Sequence, residues 1–178
     1  LNYFKRNSFS AYAYFDGEKW KKKRKPLRPD FIIDKSHFKF ENFLLKKSFD
    51  KAAPLLNALP ASLIASDKFL THLIFPEFTK RNWLVHNLEE INEALKQIKT
   101  RRVVVKSPYG FGGKTVEILS KAQCKKLKLT EPTLFQEFID SSKGIPGIVE
   151  GMHDFRVICL GSKMVTSYVR TPPKGKLL

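Results

Sequence analysis

The spacing of apolar residues changes several times along the chain, and each change predicts a different kind of element. Between Phe9 and Trp20, aromatic and small residues alternate as far as Asp16-Gly17, the turn chemistry of a tight hairpin, so strand, turn and strand are expected. Pro26 and Pro29 punctuate the chain, and Phe31-Ile32-Ile33, flanked by Asp30 and Asp34, reads as a short buried strand. From Glu41 to Leu59, the residues Phe43, Leu44, Phe49, Ala52, Leu55 and Leu56 recur at helical spacing, with Pro54 kinking or dividing the helix, and a linker is expected around Pro60. Ser66 is placed to cap a helix carrying Phe69, Leu70, Leu73 and Ile74, which Pro76 ends. Asn87 and Glu90 then stand in capping-box relation ahead of a face made by Leu88, Ile91, Leu95 and Ile98. Glu89 and Glu90 at its start and Lys96 and Lys99 near its end suit the helix dipole.

Beyond that helix the period shortens to that of strands. Val103-Val104-Val105 is β-branched, the Gly-rich stretch SPYGFGG follows, and Thr115 to Leu119 reads as a second strand, so the pair predicts a β-hairpin with a long tip. A short helix over Lys121 to Leu127, a strand over Thr133 to Ile139, a loop through Gly144, Pro146, Gly147 and Gly151, and a hairpin from Asp154 to Arg170 complete the pattern. The class this predicts is α+β, with mostly antiparallel sheet in the second half.

Composition narrows the partners. The 178 residues include 33 Lys+Arg against 17 Asp+Glu, a net charge of +16, and at 42% hydrophobic the chain has apolar surface enough for one compact domain or two small ones. No run approaches the ~18 consecutive apolar residues of a membrane span, and Leu1 to Ser10 lack a signal-peptide stretch, so a soluble, cytoplasmic protein is expected. Cys124 and Cys159 are too few for a disulfide framework and too far apart for a CxxC site, and both are expected to be buried thiols. The positive balance favours polyanions without choosing among nucleic acid, acidic membrane, acidic protein and nucleoside triphosphate. Its densest run, Lys19 to Arg28, reads first as a solvated loop or hairpin arm and second as a phosphate-backbone grip or a localisation address.

Three stretches carry candidate chemistry. In the first, glycines clear side chains from a loop between Lys106 and Val116. Its end, Gly112-Gly113-Lys114-Thr115, resembles a phosphate loop of the Walker A type but fails on two counts: Pro108 occupies the earlier glycine position, and Val116 to Leu119 reads as strand where a helix is required. What remains is an amide-rich flap with Lys106 at its base, suited to covering phosphates, or else an ordinary hairpin with an exposed lysine. The second stretch is Phe135-Gln136-Glu137-Phe138-Ile139, where main-chain groups beside apolar side chains could take an adenine edge; an edge strand with solvent-facing Glu137 is the plainer reading. The third is the Asp154–Arg170 hairpin. A two-residue turn at Gly161-Ser162 pairs residues summing to 323 and sets Arg156 and Arg170 on opposite faces, whereas a three-residue connection or one bulge raises the sum to 324 and gathers Asp154, Arg156 and Arg170 on one face. Such a cluster suits a phosphoryl or carboxylate group, with a simple Asp154–Arg170 salt bridge as the alternative.

Lys106 after its Val strand, the glycine flap, QEFI, DFR and Arg170, in that order, resemble the ATP-grasp superfamily, and in particular glutathione synthetase and the ribosomal-protein glutamate ligases. The resemblance runs roughly from Leu56 to Lys176 and includes LPASLIASDKFLTHLIF, which looks like the start of the helical subdomain. It implies a helical and small-sheet subdomain with the flap over 57–130, the start of an antiparallel-sheet subdomain over 131–178, and part of a preceding α/β domain over 1–56. It implies ATP and Mg²⁺ as cofactors and an acyl phosphate formed from a carboxylate, then attacked by an amine. By position, Lys106 looks like the phosphate-binding lysine and Lys68 lies near the segment supplying a second, Gly112 and Gly113 belong to the flap, and Glu137, Phe138 and Ile139 look like the adenine hinge. Asp154 looks like the ribose-side residue, Arg156 and Arg170 like contacts to phosphate or acyl phosphate, and Lys176 stands where relatives carry a basic residue.

Two departures accompany the match. Ser107 replaces the proline usual after the lysine, and the family's metal-binding carboxylates and asparagine are expected beyond Leu178, so the sequence reads as a fragment with no metal ligand of its own. The expected partners are ATP and small-molecule or peptide carboxylates and amines, with no membrane and with nucleic acid disfavoured. The alternatives are a basic non-catalytic module for nucleic acid or another polyanion, and an ATP-grasp scaffold without activity.

Overall fold

The computed structural model describes residues 4–36, 40–109 and 115–172, and the chain divides into two compact units, 1–71 and 72–178. In the first unit, β1 (Phe4–Lys5) and β2 (Ser8–Phe9) pair antiparallel, as do β3 (Tyr12–Phe15) and β4 (Trp20–Lys23). The turn of the second hairpin works as its sequence predicts. Gly17 sits at φ +106°, and Asp16 Oδ1 accepts from the amides of Glu18 and Lys19 at 3.0 and 2.9 Å. Next come β5 (Ile32–Ile33), α1 (Phe43–Ala52) and β6 (Leu55–Leu56), with β6 parallel to β5. Pro54 thus divides helix from strand.

Ile32, Phe49 and Ala53 form this unit's core, with Phe4, Phe9, Leu45 and Leu55 packed against it. Phe4 meets Phe9 and Phe49 edge-on, with ring centroids 4.7 and 4.8 Å away. The expected buried strand shrinks to Ile32 alone, because strand alternation turns Ile33 outward and Phe31 precedes the pairing.

Lys46 of α1 is buried, and its ammonium group is held by Asp34 and by the Ser36 carbonyl and hydroxyl, both at 2.9 Å. These bonds pin α1 to the end of β5. Burial alone would raise the Asp34 carboxyl pKa, but hydrogen bonds from Lys46 and Ser36 outweigh it and hold the group below the usual carboxylate value.

Two boundaries differ from expectation. Pro60 lies in the first turn of α2 (Leu59–Ser66), where a missing N–H costs nothing, so no linker stands there. Ser66 ends that helix, donating to the Ser62 carbonyl, and the cap of α3 (Lys68–Ile74) passes to Asp67, whose Oδ1 accepts from Phe69 and Leu70 at 2.9 and 3.0 Å.

The second unit is built on a four-stranded antiparallel sheet. Its strands β7 (Asn82–Val85), β8 (Arg102–Lys106), β9 (Glu117–Ser120) and β10 (Thr133–Glu137) stand in the order β7-β10-β8-β9. Helix α4 (Leu88–Gln97) covers one face, and α5 (Lys121–Cys124) is a single turn closed by a Ser120/Gln123 capping box. Ile91, Ala94, Leu95 and Ile98 meet Val85, Val103, Val105, Phe135 and Cys124 in the main core. Leu88, expected on that face, is exposed, because it lies at the helix's first position, ahead of the sheet. Asn87 accepts from the Glu90 amide at 2.9 Å, but the Glu90 carboxylate returns to the His86 amide at 2.9 Å, one residue earlier than a capping box requires. Lys121 closes the other end, its ammonium donating to the Leu95 and Ile98 carbonyls.

A separate antiparallel hairpin, β11 (Asp154–Leu160) and β12 (Lys163–Arg170), completes the chain. Cys124 is buried as expected; Cys159, on this hairpin, is exposed because β11 and β12 form a two-stranded sheet. The overall class is α+β, as the sequence predicts.

Candidate functional site

Alternation on β8 and β10 decides which side chains share a space. Val103, Val105 and Phe135 point into the α4 core, so Val104, Lys106, Leu134 and Gln136 occupy the opposite face. On that face Lys106 lies directly across from Leu134, and its Nζ donates to Gln136 Oε1 at 2.5 Å. Asn82 stands opposite Gln136 on β7; its amide donates to the Lys80 carbonyl at 2.8 Å, while its Oδ1 is buried without a hydrogen-bond partner. A lysine, a glutamine and an orphaned acceptor beside Val104 and Leu134 make one polar spot on an otherwise apolar surface, which is how a ligand-binding face is composed.

The connection from Lys106 to β9 joins adjacent antiparallel strands, Val105 pairing with Glu117, so the lysine stands at the root of a hairpin as expected. On its described side, the Ser107 hydroxyl accepts from the Tyr109 amide at 3.3 Å, and Tyr109 is exposed. Gly112 and Gly113 lie outside the described residues, as does Lys176.

Glu137 departs from the plainer expectation of a solvent-facing edge residue. Strand β10 is central, and the Glu137 carboxylate is buried on the α4 side, where it accepts from the Lys99 amide at 2.9 Å. Its side chain therefore faces away from Lys106 and closes the α4–β8 loop. The neighbouring main chain is partly committed too. The Glu137 amide donates to the Arg81 carbonyl at 3.2 Å and the Phe138 amide to Thr100 Oγ1 at 3.3 Å. Phe138 is buried beneath the Arg102 guanidinium, 4.0 Å from its ring centroid, and Ile139 is exposed. Arg102 also reaches Asp140 at 3.6 Å, so it clamps the segment leaving β10. Sequence reasoning overlooked Arg102 and Asn82 and gave Gln136 no role of its own; polar residues at alternate positions of apolar strands were the signal available.

The hairpin resolves its register by using both sums. Near the tip, Leu160 pairs with Lys163 and Cys159 with Met164; after a shift between Ile158 and Cys159, Ile158 pairs with Thr166, Arg156 with Tyr168 and Asp154 with Arg170. Val165 is the extra residue, and Gly161 at φ +60° makes the turn. Asp154, Arg156 and Arg170 consequently share one face. Asp154 Oδ2 accepts from Arg156 Nε and Arg170 Nη2, each at 2.9 Å. The hydrogen bond that Arg156 donates to Asp154, followed by that with Tyr168, raises the Arg156 pKa above its ordinary value, and the guanidinium stays charged. Both guanidiniums remain open to solvent and keep donors for an anion.

Lys68 opens α3 in the first unit. Burial lowers its ammonium pKa, and the opposing charge of Asp67 only partly offsets that effect. Among the described residues no group of three or more His, Cys, Asp or Glu could hold a metal ion. Asp154 is spent on two arginines and Glu137 on an amide, so the described oxygens do not fit Mg²⁺. No helix among the described residues is long and apolar enough to cross a membrane.

The fold is that of ATP-grasp proteins. The chain resembles a RimK domain ATP-grasp protein from Sphaerobacter thermophilus (TM-score 0.60, 19% identity), covering 82% of this chain and 57% of that one. It also resembles D-alanyl-alanine synthetase A from Vibrio cholerae (TM-score 0.59, 13% identity; 93% of this chain, 53% of that one). D-Alanine-D-alanine ligase from Helicobacter pylori matches at TM-score 0.53 and 16% identity over 97% of this chain and 54% of its own. The chain thus spans a little over half the length of each. No protein-family model matches the sequence, and no curated protein sequence matches it. In that fold the expected boundary at 130 falls between α5 and β10, and hydrogen bonding crosses it, because β10 pairs with both β7 and β8.

Proposed function

We propose that the chain is the ATP-binding portion of a carboxylate–amine ligase. The observation that carries this reading is the position of Lys106: in an ATP-grasp fold it closes a central strand, on the sheet face turned away from α4, at the root of a glycine-rich connection. In the reaction we infer, a carboxylate oxygen attacks the γ-phosphorus of ATP, the bond from that phosphorus to the β–γ bridging oxygen breaks, and ADP leaves. An amine nitrogen then attacks the acyl carbon of the acyl phosphate, and inorganic phosphate departs as the amide forms and the nitrogen gives up a proton.

Little covalent chemistry falls to the protein in such a transfer, and positioned cations do most of the work. We assign Lys106 to the triphosphate, where its charge exchanges Gln136 for phosphate oxygens. The main chain around Phe138 and Ile139 is assigned to the adenine edge, beside apolar side chains. Arg156 and Arg170 are assigned to the phosphoryl group or acyl phosphate, with Asp154 holding both in register. We also assign Lys68 and Lys176 to the nucleotide and Gly112 and Gly113 to the flap, on the resemblance alone. The named activities of the structural neighbours, a synthetase and a ligase, support the class of reaction and leave the acid and the amine open.

Titration calorimetry with ATP tests the assignment. Lys106→Ala removes a charge-assisted contact and should weaken binding on the order of ten- to a hundred-fold. Lys106→Arg should recover part of the loss. Equal affinity in wild type and Lys106→Ala would refute the proposed site.

A further inference from the structure

The first unit carries a surface that the nucleotide reading leaves unused. Register in the β3–β4 hairpin sets Tyr12 opposite Lys23, Ala13 opposite Lys22, Tyr14 opposite Lys21 and Phe15 opposite Trp20. One face therefore holds Tyr12, Tyr14, Lys21 and Lys23, and the other holds Ala13, Phe15, Trp20 and Lys22. The first face is internally satisfied: Lys23 lies 5.0 Å over the Tyr14 ring and Lys21 bonds Asp16 at 2.5 Å. The second is not. Trp20 is 71% exposed and Phe15 54%, with their rings 5.8 Å apart, and Lys22 beside them is exposed.

Packing does not explain these rings. The core of the unit draws on Phe4, Phe9 and Phe49. The hairpin's base is fixed to that core by a two-bond bridge between Phe9 and Leu27, at 2.9 and 2.8 Å, so the aromatic face is presented from an anchored stem. Basic residues continue past Lys23 through Arg24, Lys25 and Arg28, with Arg24 and Lys25 exposed. Bare π faces beside a line of cations match the two features of an unpaired nucleic-acid strand: bases that stack and phosphates that repeat. An anionic bilayer fits less well. Asp16 and Glu18 occupy the hairpin tip next to Phe15, where inserted rings would carry carboxylates toward lipid phosphates. An acidic peptide would use the lysines and leave both rings idle.

We propose that this hairpin binds single-stranded nucleic acid, with bases stacked on Phe15 and Trp20 and phosphates on Lys22, Arg24 and Lys25. The proposal is independent of the ATP assignment.

Fluorescence anisotropy with the full chain provides the test, using labelled oligo(U) and oligo(dT) of about 15 nucleotides, a duplex of equal length, and vesicles of phosphatidylcholine with phosphatidylserine. Both single strands should bind more tightly than the duplex or the vesicles, and a preference between them would assign the ligand to RNA or DNA. Trp20→Ala and Phe15→Ala should each weaken single-strand binding by roughly 5- to 150-fold. Trp20→Phe, which keeps a ring, should retain most of the affinity. Lys22→Ala with Arg24→Ala should flatten the slope of log K against log salt by roughly 0.7 for each phosphate no longer neutralised. ATP affinity should be unchanged in all of these variants. Ring removal without effect, Trp20→Phe as damaging as Trp20→Ala, or duplex or vesicles bound as tightly as single strands would each overturn the proposal.

Discussion

Replacing Lys46 by methionine removes one charge and keeps most of the side chain's packing volume, so it isolates what the buried ammonium group does for the first unit. Lys46 is 2% exposed and its ammonium has three oxygen partners, on Asp34 and Ser36. Removing one member of a buried ion pair costs about 3–5 kcal/mol, because the other is left charged and under-solvated. Asp34 retains two hydrogen bonds from Ser36, at 2.9 Å from its amide and 2.6 Å from its hydroxyl, which places the expected loss at the lower end, about 3 kcal/mol. That is a large share of the roughly 5–15 kcal/mol by which a domain is stable. The pH dependence has a definite sign. The folded Asp34 pKa is depressed, so the stabilisation is complete above the unfolded value of about 3.9 and is lost as pH falls through the lower folded value. Urea unfolding followed by circular dichroism should show a gap between wild type and Lys46→Met that narrows in acid. Hydrogen exchange should localise the loss to β5 and α1. Adding Asp34→Asn should recover part of it, since the double variant leaves no uncompensated charge. A cost below about 1 kcal/mol at neutral pH, or a gap indifferent to acid, would refute the reasoning.

Glu137→Gln keeps an acceptor for the Lys99 amide and should be near neutral, whereas Glu137→Ala strands that amide and should cost about 1–3 kcal/mol in thermal or chemical unfolding; equal costs would refute the bond's importance. Lys121→Met should release the Leu95 and Ile98 carbonyls at the end of α4 and cost about 1–2 kcal/mol by the same measurement, with an unchanged midpoint counting against the cap. The Lys106 and hairpin variants, read by ATP calorimetry and by oligonucleotide anisotropy, complete the set.

Local signals were the legible ones. The Asn87 cap, the Ile91–Leu95–Ile98 face, the Asp16-Gly17 turn and the β-branched strand at Val103 each act within a few residues, and each forms where the sequence places it. Competition between neighbouring caps was not legible: Ser66 and Asp67 are both good cap residues, and only the length of α2 decides between them. Glu137 reads as an exposed polar residue until β7 is known to pair on the far side of β10, a pairing between distant parts of the chain that no local pattern encodes. Its amide partner, Lys99, is likewise remote in sequence, 38 residues away. The placement of Lys106, Asp154, Arg156 and Arg170 followed from strand alternation once a register was assumed. The polar spot at Gln136 and Asn82 required the sheet order itself.

The unpaired Val165 has an outsize consequence. Were Val165 instead paired opposite Ile158, the tip register would continue to the base, Arg170 would meet His153, and the two guanidiniums would look out from opposite sides of the ribbon. The charge cluster is therefore set by the register that the bulge imposes as much as by residue identity. An in-frame loss of Val165 should leave it assembled in a regular ladder, whereas drawing Val165 into the pairing would take it apart without touching any charged group.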